Sequence, residues 1–338
     1  MRLVNFNTEW MNDWFVGGNT VAFRQKNSVK GIDNVDELAK RVADLILDTD
    51  PDVLTVEEGP SDKREMQLFV STYLSNHGAA LFDVFGGIDG GAQKIYALVK
   101  KNGALRNCTL STDPATQKLK DKWESDVNGD GVAEPYKFTR LPLVVEGSLS
   151  NGKKCRIITM HTKSNYVQGG EKMWKDPSTR QKFINTALTD RRRISSEAMR
   201  IRQYLDDLIS DDPNKAVIVT GDMNDGPGLD YFEMRYLTHN VIDIVLGSTF
   251  AYELLFRHSF IDRVSPSERY TVEFYDYVEE EHKQLLLDHI AVSPGLTETI
   301  VDSGILHKQY NAAMDPNATG YRQKRPSDHR PVYVDIQE

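Results

Sequence analysis

Cysteines and long apolar runs are scarce in this sequence, and each shortage excludes a class of protein. The two cysteines, Cys108 and Cys155, are too few for a disulfide framework and lack the spacing of metal ligands. We expect two buried thiols in a reducing compartment, with a single disulfide as the alternative. No stretch reaches the run of about 18 apolar residues that crosses a bilayer, so we expect no membrane span.

A basic surplus and a secretory signal are also missing. Acidic residues (50) outnumber basic residues (41), whereas tight non-specific DNA-binding proteins usually carry excess positive charge. This balance disfavours a packaging or regulatory role but suits a hydrolase whose carboxylates bind cations. The first ten residues, MRLVNFNTEW, predict a polar strand rather than a signal peptide. We expect a cytoplasmic protein, or a secreted or periplasmic one if a leader was removed, and a monomer with no implied protein partner.

The chain has no internal repeat or long linker, which favours one domain over residues 1–338 with an insertion around 108–138. Apolar residues make up 39% of the chain, enough for a substantial core. Short apolar segments predict strands at 2–7, 53–56, 95–99, 141–145, 155–160, 216–220, 285–292 and 331–336. The segments 270–278 and 285–292 predict a hairpin-like pair.

Two segments have the apolar periodicity of helices packed on a core. The segment from Val35 to Leu47 places apolar side chains on one face, and Asn34 with Glu37 resembles a capping box at its start. A second, long helix is predicted to begin near Pro177, a residue that suits the first helical turn. Two packed β-sheets flanked by helices would satisfy this order of elements, although periodicity alone leaves other mixed α/β folds open.

Groups that can bind metal ions or move protons lie at the ends of the predicted strands. They occur in six clusters, at 7–9, 57–58, 161–164, 221–225, 288–289 and 327–329. Because strands fix the positions of their ends, such groups can converge at one rim. Hydrolysis of a phosphodiester needs a cation for the phosphate oxygens, a base for water and stabilisation of the leaving oxygen. Carboxylates suit Mg²⁺ and a histidine–carboxylate pair handles protons, so the clusters predict a metal-dependent hydrolase.

An ordered series of motifs along nearly the whole chain resembles the endonuclease/exonuclease/phosphatase superfamily, to which pancreatic-type deoxyribonuclease and the abasic-site endonucleases belong. The series is Asn7, Glu58, His161, Gly221-Asp222-Met223-Asn224, Asp288 and Ser327-Asp328-His329. The resemblance implies a four-layered α/β sandwich, in which two packed mixed β-sheets are flanked by helices. It also implies that the site lies where the loops of the two sheets meet.

The same resemblance implies a role for each metal-binding or water-binding position. Glu58 resembles the principal ligand of Mg²⁺ or Mn²⁺, with Asn7 and Asp328 nearby. Asp222 resembles the group that orients or deprotonates the attacking water, and Asn224 resembles a group that helps to position it.

The two histidines and the segment after the first of them complete the implied site. His329 resembles the histidine that contacts phosphate, oriented by Asp288, and His161 resembles the histidine that stabilises the leaving group. Which histidine acts as an acid is open at this point. Lys163 and Ser164, close after His161, are candidates for contacting the substrate phosphate.

Two positions depart from the family pattern. Many relatives have aspartate where this chain has Glu9, so the share of Glu9 in metal binding is open. Many relatives also have glutamine where this chain has Glu57. Strand alternation places Glu57 and Glu58 on opposite faces, so we expect Glu58 alone at the site. Glu57 is expected to be a buried, hydrogen-bonded carboxylate or a group that supports the site from behind.

One segment resembles the start of a calcium-binding loop. Asp126, Asn128 and Asp130 provide side-chain oxygens at alternate positions before Gly131, and they indicate a candidate site for structural Ca²⁺. Position twelve of the loop is Lys137 rather than glutamate, which excludes a full EF-hand. The alternative is a polar hairpin turn.

The leading functional hypothesis is a nuclease that cleaves DNA or RNA through metal-assisted attack of water on phosphorus. The stretch 161–164 and the arginine run 191–193 on the long helix resemble bacterial deoxyribonuclease-like members. We expect this run to be a solvated face in which Arg193 pairs with Glu197, and the alternative is a surface that contacts the phosphate backbone. The alternatives are a phosphatase or phospholipase C-type hydrolase of the inositol phosphate or sphingomyelin class, and a catalytically dead binding module.

Overall fold

The computed structural model describes residues 1–88, 91–228, 230–236 and 240–337, and it contains two six-stranded β-sheets. Their strands are, in chain order, β1 (Arg2–Asn7), β2 (Val53–Gly59), β3 (Phe82–Gly86), β4 (Lys94–Lys100), β5 (Arg106–Leu110), β6 (Leu143–Ser148), β7 (Lys154–His161), β8 (Ala216–Asp222), β9 (Arg257–His258), β10 (Asp288–Val292), β11 (Ile300–Ile305) and β12 (Val332–Ile336). The long helices are α1 (Val35–Thr49), α2 (Lys63–Tyr73) and α3 (Pro177–Ile209). Shorter α-helices span Pro114–Gln117, Gly170–Lys175, Glu233–Tyr236, Val241–Leu246, Pro294–Thr297 and His307–Ala312.

Each sheet is built around a central pair of parallel strands. The first sheet has the order β11-β12-β1-β2-β4-β3, with β1 parallel to β2. The second has the order β9-β10-β8-β7-β6-β5, with β7 parallel to β8. The outer strands run antiparallel to their neighbours. The carboxyl ends of two strands therefore meet in the middle of each sheet.

Helices cover the outer face of each sheet, which gives four layers. In β1, Val4 packs with α1 and α2 on the outside, whereas its neighbour Leu3 packs between the two sheets. The second sheet is covered by α3 and Val241–Leu246, where Ile194 packs with Ile158. Strands buried on both faces must be apolar almost throughout, which explains their continuous apolar runs. The predicted four-layered α/β sandwich is confirmed.

Several predicted elements occur close to their predicted bounds. The helix α1 begins at Val35, and the side chain of Asn34 caps it by accepting the N–H of Glu37 at 3.3 Å. The long helix α3 begins at Pro177, as predicted. Within the described residues, no helix combines the length and apolarity needed to cross a membrane.

The predicted hairpin-like pair of 270–278 with 285–292 is wrong. Val272–Asp276 pairs with Glu281–Leu285, and β10 enters the second sheet as a separate strand beside β8. Asp276 closes the turn of this hairpin, since its Oδ1 accepts the N–H of Val278 at 2.7 Å. Every residue of β10 is buried, whereas Glu281–Leu285 is polar and partly exposed. The segment 285–292 therefore belongs to two elements: Leu285 ends the hairpin, and Asp288–Val292 lies in the second sheet.

The candidate calcium loop is the turn of a small ribbon formed by Trp123–Ser125 and Glu134–Tyr136. Side-chain oxygens of this turn accept backbone N–H groups of the same turn, in the pairs Asp126–Gly129, Asn128–Asp130 and Asp130–Val132. This bonding is typical of a polar hairpin turn. Binding of Ca²⁺ there stays a prediction.

The arginine run on α3 is more buried than a solvated face. Arg193 lies 3.7 Å from Glu197, as predicted, but Glu197 is buried and also accepts the N–H of Thr139. Arg191 is buried and pairs with Asp230. These side chains therefore connect α3 to neighbouring loops.

Both cysteines, which lie in the described part of the chain, are thiols.

Leu38 on α1 tests the assignment of the first helix layer. Its side chain is fully buried in the cluster between α1 and the first sheet. Leu38→Ala is expected to lower the free energy of unfolding by about 3 kcal/mol, because it removes contacts and leaves a cavity. Leu47→Ala, on the exposed face of the same helix, is expected to cost about 0.5 kcal/mol or less. Urea denaturation measures both losses, and equal losses would contradict the assigned face.

Candidate active site

Polar side chains from both sheets meet at the rim where the central parallel strands end. Asn7 ends β1, Glu58 lies near the end of β2, His161 ends β7 and Asp222 ends β8. Asp288 begins β10 and is the direct partner of Asp222 in the antiparallel pairing of β10 with β8. The topology thus brings groups from distant parts of the sequence to one place.

Asp222 is the buried centre of this cluster. Asn7 Nδ2 donates to its Oδ2 at 2.9 Å, and the N–H of Asn224 donates to its Oδ1 at 2.9 Å. The Nε2 atoms of His161 and His329 lie 3.5 and 3.8 Å from the same Oδ2. Burial raises the pKa of Asp222 to about 6, and the positive charge of His329 limits the rise. Asp222 is therefore mostly ionised at neutral pH.

His329 and Asp288 form a buried pair, with Nδ1 of the ring 2.7 Å from Oδ2 of Asp288. Burial disfavours the imidazolium, but the carboxylates of Asp288 and Asp222 outweigh it and hold the pKa of His329 well above its usual value. The protonated ring donates through Nδ1 to Asp288 and directs Nε2 toward Asp222. The backbone N–H of His329 donates to Ser327 Oγ at 3.1 Å, which in turn donates to the carbonyl of Asn7 at 2.7 Å.

Three buried side chains of this cluster could hold a metal ion. Asp222, Asp288 and His329 each offer one ligand atom, and these atoms lie within 4.8 Å of one another. A hydrogen bond already joins Asp288 to His329, so the same group is also a proton-handling unit.

Glu58 lies beside this group and is held by two hydrogen bonds. Its Oε2 accepts the N–H of Trp10 at 2.9 Å and Nε2 of Gln93 at 2.6 Å. Burial, together with the charge of Asp328, raises the pKa of Glu58 to about 7. Asp328 is more exposed, and its Oδ1 lies 4.0 Å from Nε2 of His329. Two carboxyl groups therefore adjoin the Asp222–His329 pair.

Glu57 and Glu58 lie where β2 departs from regular strand geometry, and the expectation that Glu58 alone faces the site stays a prediction. Glu58 has a left-handed backbone (φ 54°), and the pairing of β2 with β4 shifts register at this point. The irregularity interrupts the alternation of side chains. Both carboxyl groups lie close enough to Asp222 for its charge to raise their pKa values. Glu57 is fully buried, and within the described residues its carboxyl oxygens have no hydrogen-bond partner, contrary to expectation. Burial, reinforced by the charges of Asp288 and Asp222, raises the pKa of Glu57 well above its usual value.

His161 and Asn224 contact different carboxylate oxygens of Asp222. Burial, reinforced by the charge of Arg140, holds the pKa of His161 well below its usual value, so the ring is neutral at neutral pH. Asn224 has a left-handed backbone (φ 51°), and its N–H donates to Asp222 Oδ1. The side-chain Nδ2 of Asn224 donates to the carbonyl of Thr162 at 3.3 Å. Asn224 thus fixes the orientation of Asp222 through its backbone.

Glu9 is held by two arginines. Its Oε1 lies 2.7 Å from Arg325 Nη2, and its Oε2 lies 3.2 Å from Arg322 Nε. Both carboxylate oxygens of Glu9 are therefore engaged in ion pairs, and the structure gives this residue a role in shaping the loop after β1.

Lys163 and Ser164 are also engaged by the protein. Nζ of Lys163 lies 3.2 Å from Asp190 Oδ1 on α3, and Ser164 Oγ accepts the N–H of Tyr166 at 3.1 Å. Contact of either side chain with the substrate phosphate stays a prediction.

Sequence reasoning missed two residues that lie next to the cluster. Arg140 Nη2 donates to Gln93 Oε1 at 2.7 Å, and Gln93 Nε2 donates to Glu58 Oε2. Arg140 Nη1 also donates to the carbonyl of Thr162 at 2.9 Å. Gln93 and Arg140 precede β4 and β6, which run antiparallel to β2 and β7, so they start at the rim where β2 and β7 end. A search of the positions before these antiparallel strands could have found both.

Solved structures share this fold across the full length of the chain. Truncated TDP2 from Caenorhabditis elegans is 12% identical with a TM-score of 0.53, and the match covers 100% of this chain and 97% of that chain. A 3'-5' exonuclease (NExo) from Neisseria meningitidis is 13% identical with a TM-score of 0.52, covering 100% of both chains. D. rerio TDP2 complexed with single strand DNA product is 13% identical with a TM-score of 0.51, covering 100% of this chain and 99% of that chain.

Sequence comparison gives the family directly. A search of curated proteins found no match to the sequence. The model of the Endonuclease/Exonuclease/phosphatase family matches residues 31–329, which include all the clustered groups except Asn7 and Glu9. Because the match spans most of the chain and the fold agrees with it, the protein belongs to the Endonuclease/Exonuclease/phosphatase family.

Proposed function

We propose that this protein is a divalent-metal-dependent phosphodiester hydrolase that cleaves nucleic acid. The observation that supports this most is the contact of Asp222 with two histidines, beside Glu58, at the rim shared by the two sheets. Such a cluster contains a base, a cationic donor and carboxylate ligands, which together meet the needs of phosphodiester hydrolysis.

The charge of the cluster fits a bound divalent cation. Four carboxyl groups lie close together, those of Glu58, Asp328, Asp222 and Asp288. Their mutual repulsion, together with burial, raises the pKa values of Glu58 and Asp222. Oxygen ligands of this kind suit Mg²⁺ or Mn²⁺, and we assign Glu58, Asn7 and Asp328 as the ligands. When bound, the ion would neutralise charge on the phosphate oxygens and so assist attack on phosphorus.

Asp222 is the proposed base for the attacking water. It accepts the proton of the water that forms the new bond to phosphorus. Asn7 and Asn224 each hold one of its oxygens, so the carboxylate has a fixed direction before the substrate arrives. Below a pH of about 6 the group is protonated and cannot act as a base.

The two histidines take different parts because their charges differ. His329, kept protonated by Asp288, can donate from Nε2 to a non-bridging phosphate oxygen. His161 is neutral, and we assign it to a hydrogen bond with the leaving oxygen. Arg140, beside His161 and bonded to Gln93, adds a positive charge on the same side of the cluster.

The choice of nucleic acid as substrate is supported by the proteins that share the fold. They include a TDP2 complexed with single strand DNA product and a 3'-5' exonuclease. The family also includes phosphatases by its description, so the decisive comparison is between phosphodiesters and phosphomonoesters.

A substrate panel with and without metal tests the proposal. We expect hydrolysis of bis-p-nitrophenyl phosphate and of a single-stranded oligonucleotide with Mg²⁺ or Mn²⁺, and none with EDTA. If the protein instead hydrolyses p-nitrophenyl phosphate, inositol phosphates or sphingomyelin, the assignment as a nuclease is wrong. The assignment as a metal-dependent hydrolase would then stand. No turnover of any of them with either metal would reject the hydrolase itself.

Metal binding is expected to stabilise the fold more at about pH 8 than at about pH 5.5. Glu58, with a pKa of about 7, is mostly neutral at the lower pH, and a cation binds the ionised form. Its raised pKa means that the folded state holds this proton longer than the unfolded chain. The contribution of Glu58 to stability therefore falls as pH rises from about 4.3 to about 7.

A bound cation offsets that loss, by about 2.7 kcal/mol at a metal concentration 100 times the Kd. Thermal unfolding with Mn²⁺ and with EDTA at both pH values measures the difference. In Glu58→Gln the metal effect is expected to shrink and to lose its pH dependence. An equal metal effect at both pH values in the wild type would contradict the assignment.

A further inference from the structure

Two exposed aromatic side chains belong to the loop that contacts Glu58 and to the segment that is hydrogen-bonded to this loop. Trp10 is 46% exposed and Tyr321 is 61% exposed. Neither has a part in the chemistry proposed for Asp222 and His329. Isolated exposed apolar side chains are common on proteins, so what matters is how these two are held.

Trp10 is connected directly to the proposed metal ligand. Its backbone N–H donates to Glu58 Oε2 at 2.9 Å. Glu9 and Trp10 both have left-handed backbones, with φ of 47° and 53°, a conformation unfavourable for residues other than glycine. Two such residues in succession persist only where the surroundings enforce them, and strain of this kind gathers at functional sites. The backbone position from which the indole projects beside Glu58 is therefore fixed.

Two arginines enforce this turn. Buried Arg322 donates to the carbonyl of Thr8 at 2.9 Å and to the carbonyl of Glu9 at 3.3 Å. Arg325 pairs with the carboxylate of Glu9 at 2.7 Å. Because Arg322 is bonded to the two carbonyls that precede Trp10, it holds the backbone that presents the indole.

Tyr321 is held by the same segment, since it directly precedes Arg322. Its ring packs on Gly31, where an added Cβ would lie 2.5 Å from the ring. Asp33 Oδ2 accepts the N–H of Gly320 at 2.6 Å, which joins the two loops. The phenol ring is thus placed on the surface next to the loop that begins at Gly31.

Lys30 adds a positive charge next to the Trp10 ring. Its Nζ lies 5.1 Å from the centroid of the Trp10 ring and 3.5 Å from Asp13 Oδ2. Lys30 also precedes Gly31, on which Tyr321 packs. Exposed aromatic rings with a cation among them are the means by which proteins bind single strands, through base stacking and phosphate contacts.

We propose that Trp10, Lys30 and Tyr321 form a stacking platform for an unpaired segment of the nucleic-acid substrate beside the scissile phosphate. The inference rests on the proposed function and deepens it by naming the substrate class. A base stacks on the indole of Trp10, Lys30 contacts a backbone phosphate, and Tyr321 receives a neighbouring base. Bases inside a duplex have both faces covered, so the platform selects single strands or frayed ends.

The test measures the activity of each variant on two substrates, one with nucleobases and one without. The measured quantity is kcat/KM for a single-stranded oligonucleotide divided by kcat/KM for bis-p-nitrophenyl phosphate, which has no base. Trp10→Leu removes the indole and is expected to lower this ratio about tenfold or more, mainly through KM. Trp10→Phe keeps a ring and is expected to restore most of the ratio. Tyr321→Leu is a second, independent variant and is expected to lower the ratio about fivefold.

Phe250→Leu is the matched control. Phe250 is fully exposed on the segment that leads to β9, and β9 pairs with the end of β10 opposite to Asp288. We expect this variant to keep the wild-type ratio.

The outcomes separate the platform from the chemistry. A blunt duplex of the same sequence should be a poorer substrate than the single strand, and Trp10→Leu should narrow that difference. If both leucine variants hydrolyse bis-p-nitrophenyl phosphate and keep the wild-type ratio, the platform is overturned. If the wild type hydrolyses neither substrate with any metal, the proposed function is overturned instead.

Discussion

Asp222→Asn is expected to lower kcat for bis-p-nitrophenyl phosphate about 100-fold to 10,000-fold, the range that a positioned acid or base usually contributes. The substitution keeps the shape of the side chain and its place between Asn7 and Asn224. It removes the capacity to accept a proton from water. Because asparagine has one accepting oxygen in place of two, it also loses the hydrogen bond from either Asn7 or Asn224. The loss should therefore fall on kcat rather than on substrate affinity.

The same substitution is expected to keep or raise the Tm. Burial raises the pKa of Asp222 to about 6. At neutral pH the ionised carboxylate is therefore less stable in the folded protein than in the unfolded chain, where water solvates it. Asparagine removes this unfavourable charge, although the contact with His329 loses its ionic character. A gain in stability with a loss of activity is the pattern expected of a functional group rather than a structural one.

Two measurements on each variant check this prediction. Steady-state kinetics gives kcat, and thermal unfolding in EDTA gives the Tm without any contribution from bound metal. Asp83→Asn, the same change on an exposed position of β3, is the control and should leave both values near those of the wild type. Wild-type kcat in Asp222→Asn would show that another group activates the water.

Sequence reasoning predicted the strands of the core well because those strands are buried on both faces. The segment 216–220 lies within β8, and the first strand is predicted at its observed bounds of Arg2–Asn7. Once parallel strands are placed side by side, their carboxyl ends must share a rim. That geometric rule is why Asn7, His161 and Asp222 could be grouped before any distance was known.

The rule is less informative where the backbone departs from regular strand geometry. Alternation predicts Glu57 and Glu58 on opposite faces, but Glu58 has a left-handed backbone and both carboxyl groups interact electrostatically with Asp222. Arg140 and Gln93 precede strands that start at the rim, and their mutual hydrogen bond depends on a contact between the two sheets. Pairings across sheets depend on how the layers pack, which periodicity along the chain does not describe.

The partners of charged side chains were the hardest part to predict. Glu9 aligns with a metal-binding position, yet two arginines more than 300 positions later in the chain form ion pairs with its carboxylate. Lys163 follows His161 closely, yet its ammonium group reaches Asp190 on α3. A long charged side chain can reach several possible partners. Its contacts therefore depend on the tertiary structure and cannot be derived from a sequence motif.

His329→Ala is expected to lower kcat/KM for bis-p-nitrophenyl phosphate about 100-fold or more, because it removes the cationic donor opposite Asp222. The charge of His329 also lowers the pKa of Asp222. Without it, Asp222 should become ionised only at a higher pH. The remaining activity is therefore expected to rise at a higher pH than the activity of the wild type. His282→Ala, on the exposed hairpin strand Glu281–Leu285, is the control and should change neither rate nor profile.

Asp288→Asn tests whether His329 acts as a cation or only as a hydrogen-bonding ring. Asparagine can still accept the Nδ1–H of His329, but it no longer raises the pKa of the ring. The variant should therefore lose more activity at about pH 8, where His329 becomes neutral, than at about pH 6. Asp288 is proposed to act through His329. The double variant that combines Asp288→Asn with His329→Ala should therefore be no slower than His329→Ala alone. Additive losses, or the same loss at both pH values, would show that Asp288 has a separate function such as holding a metal ion.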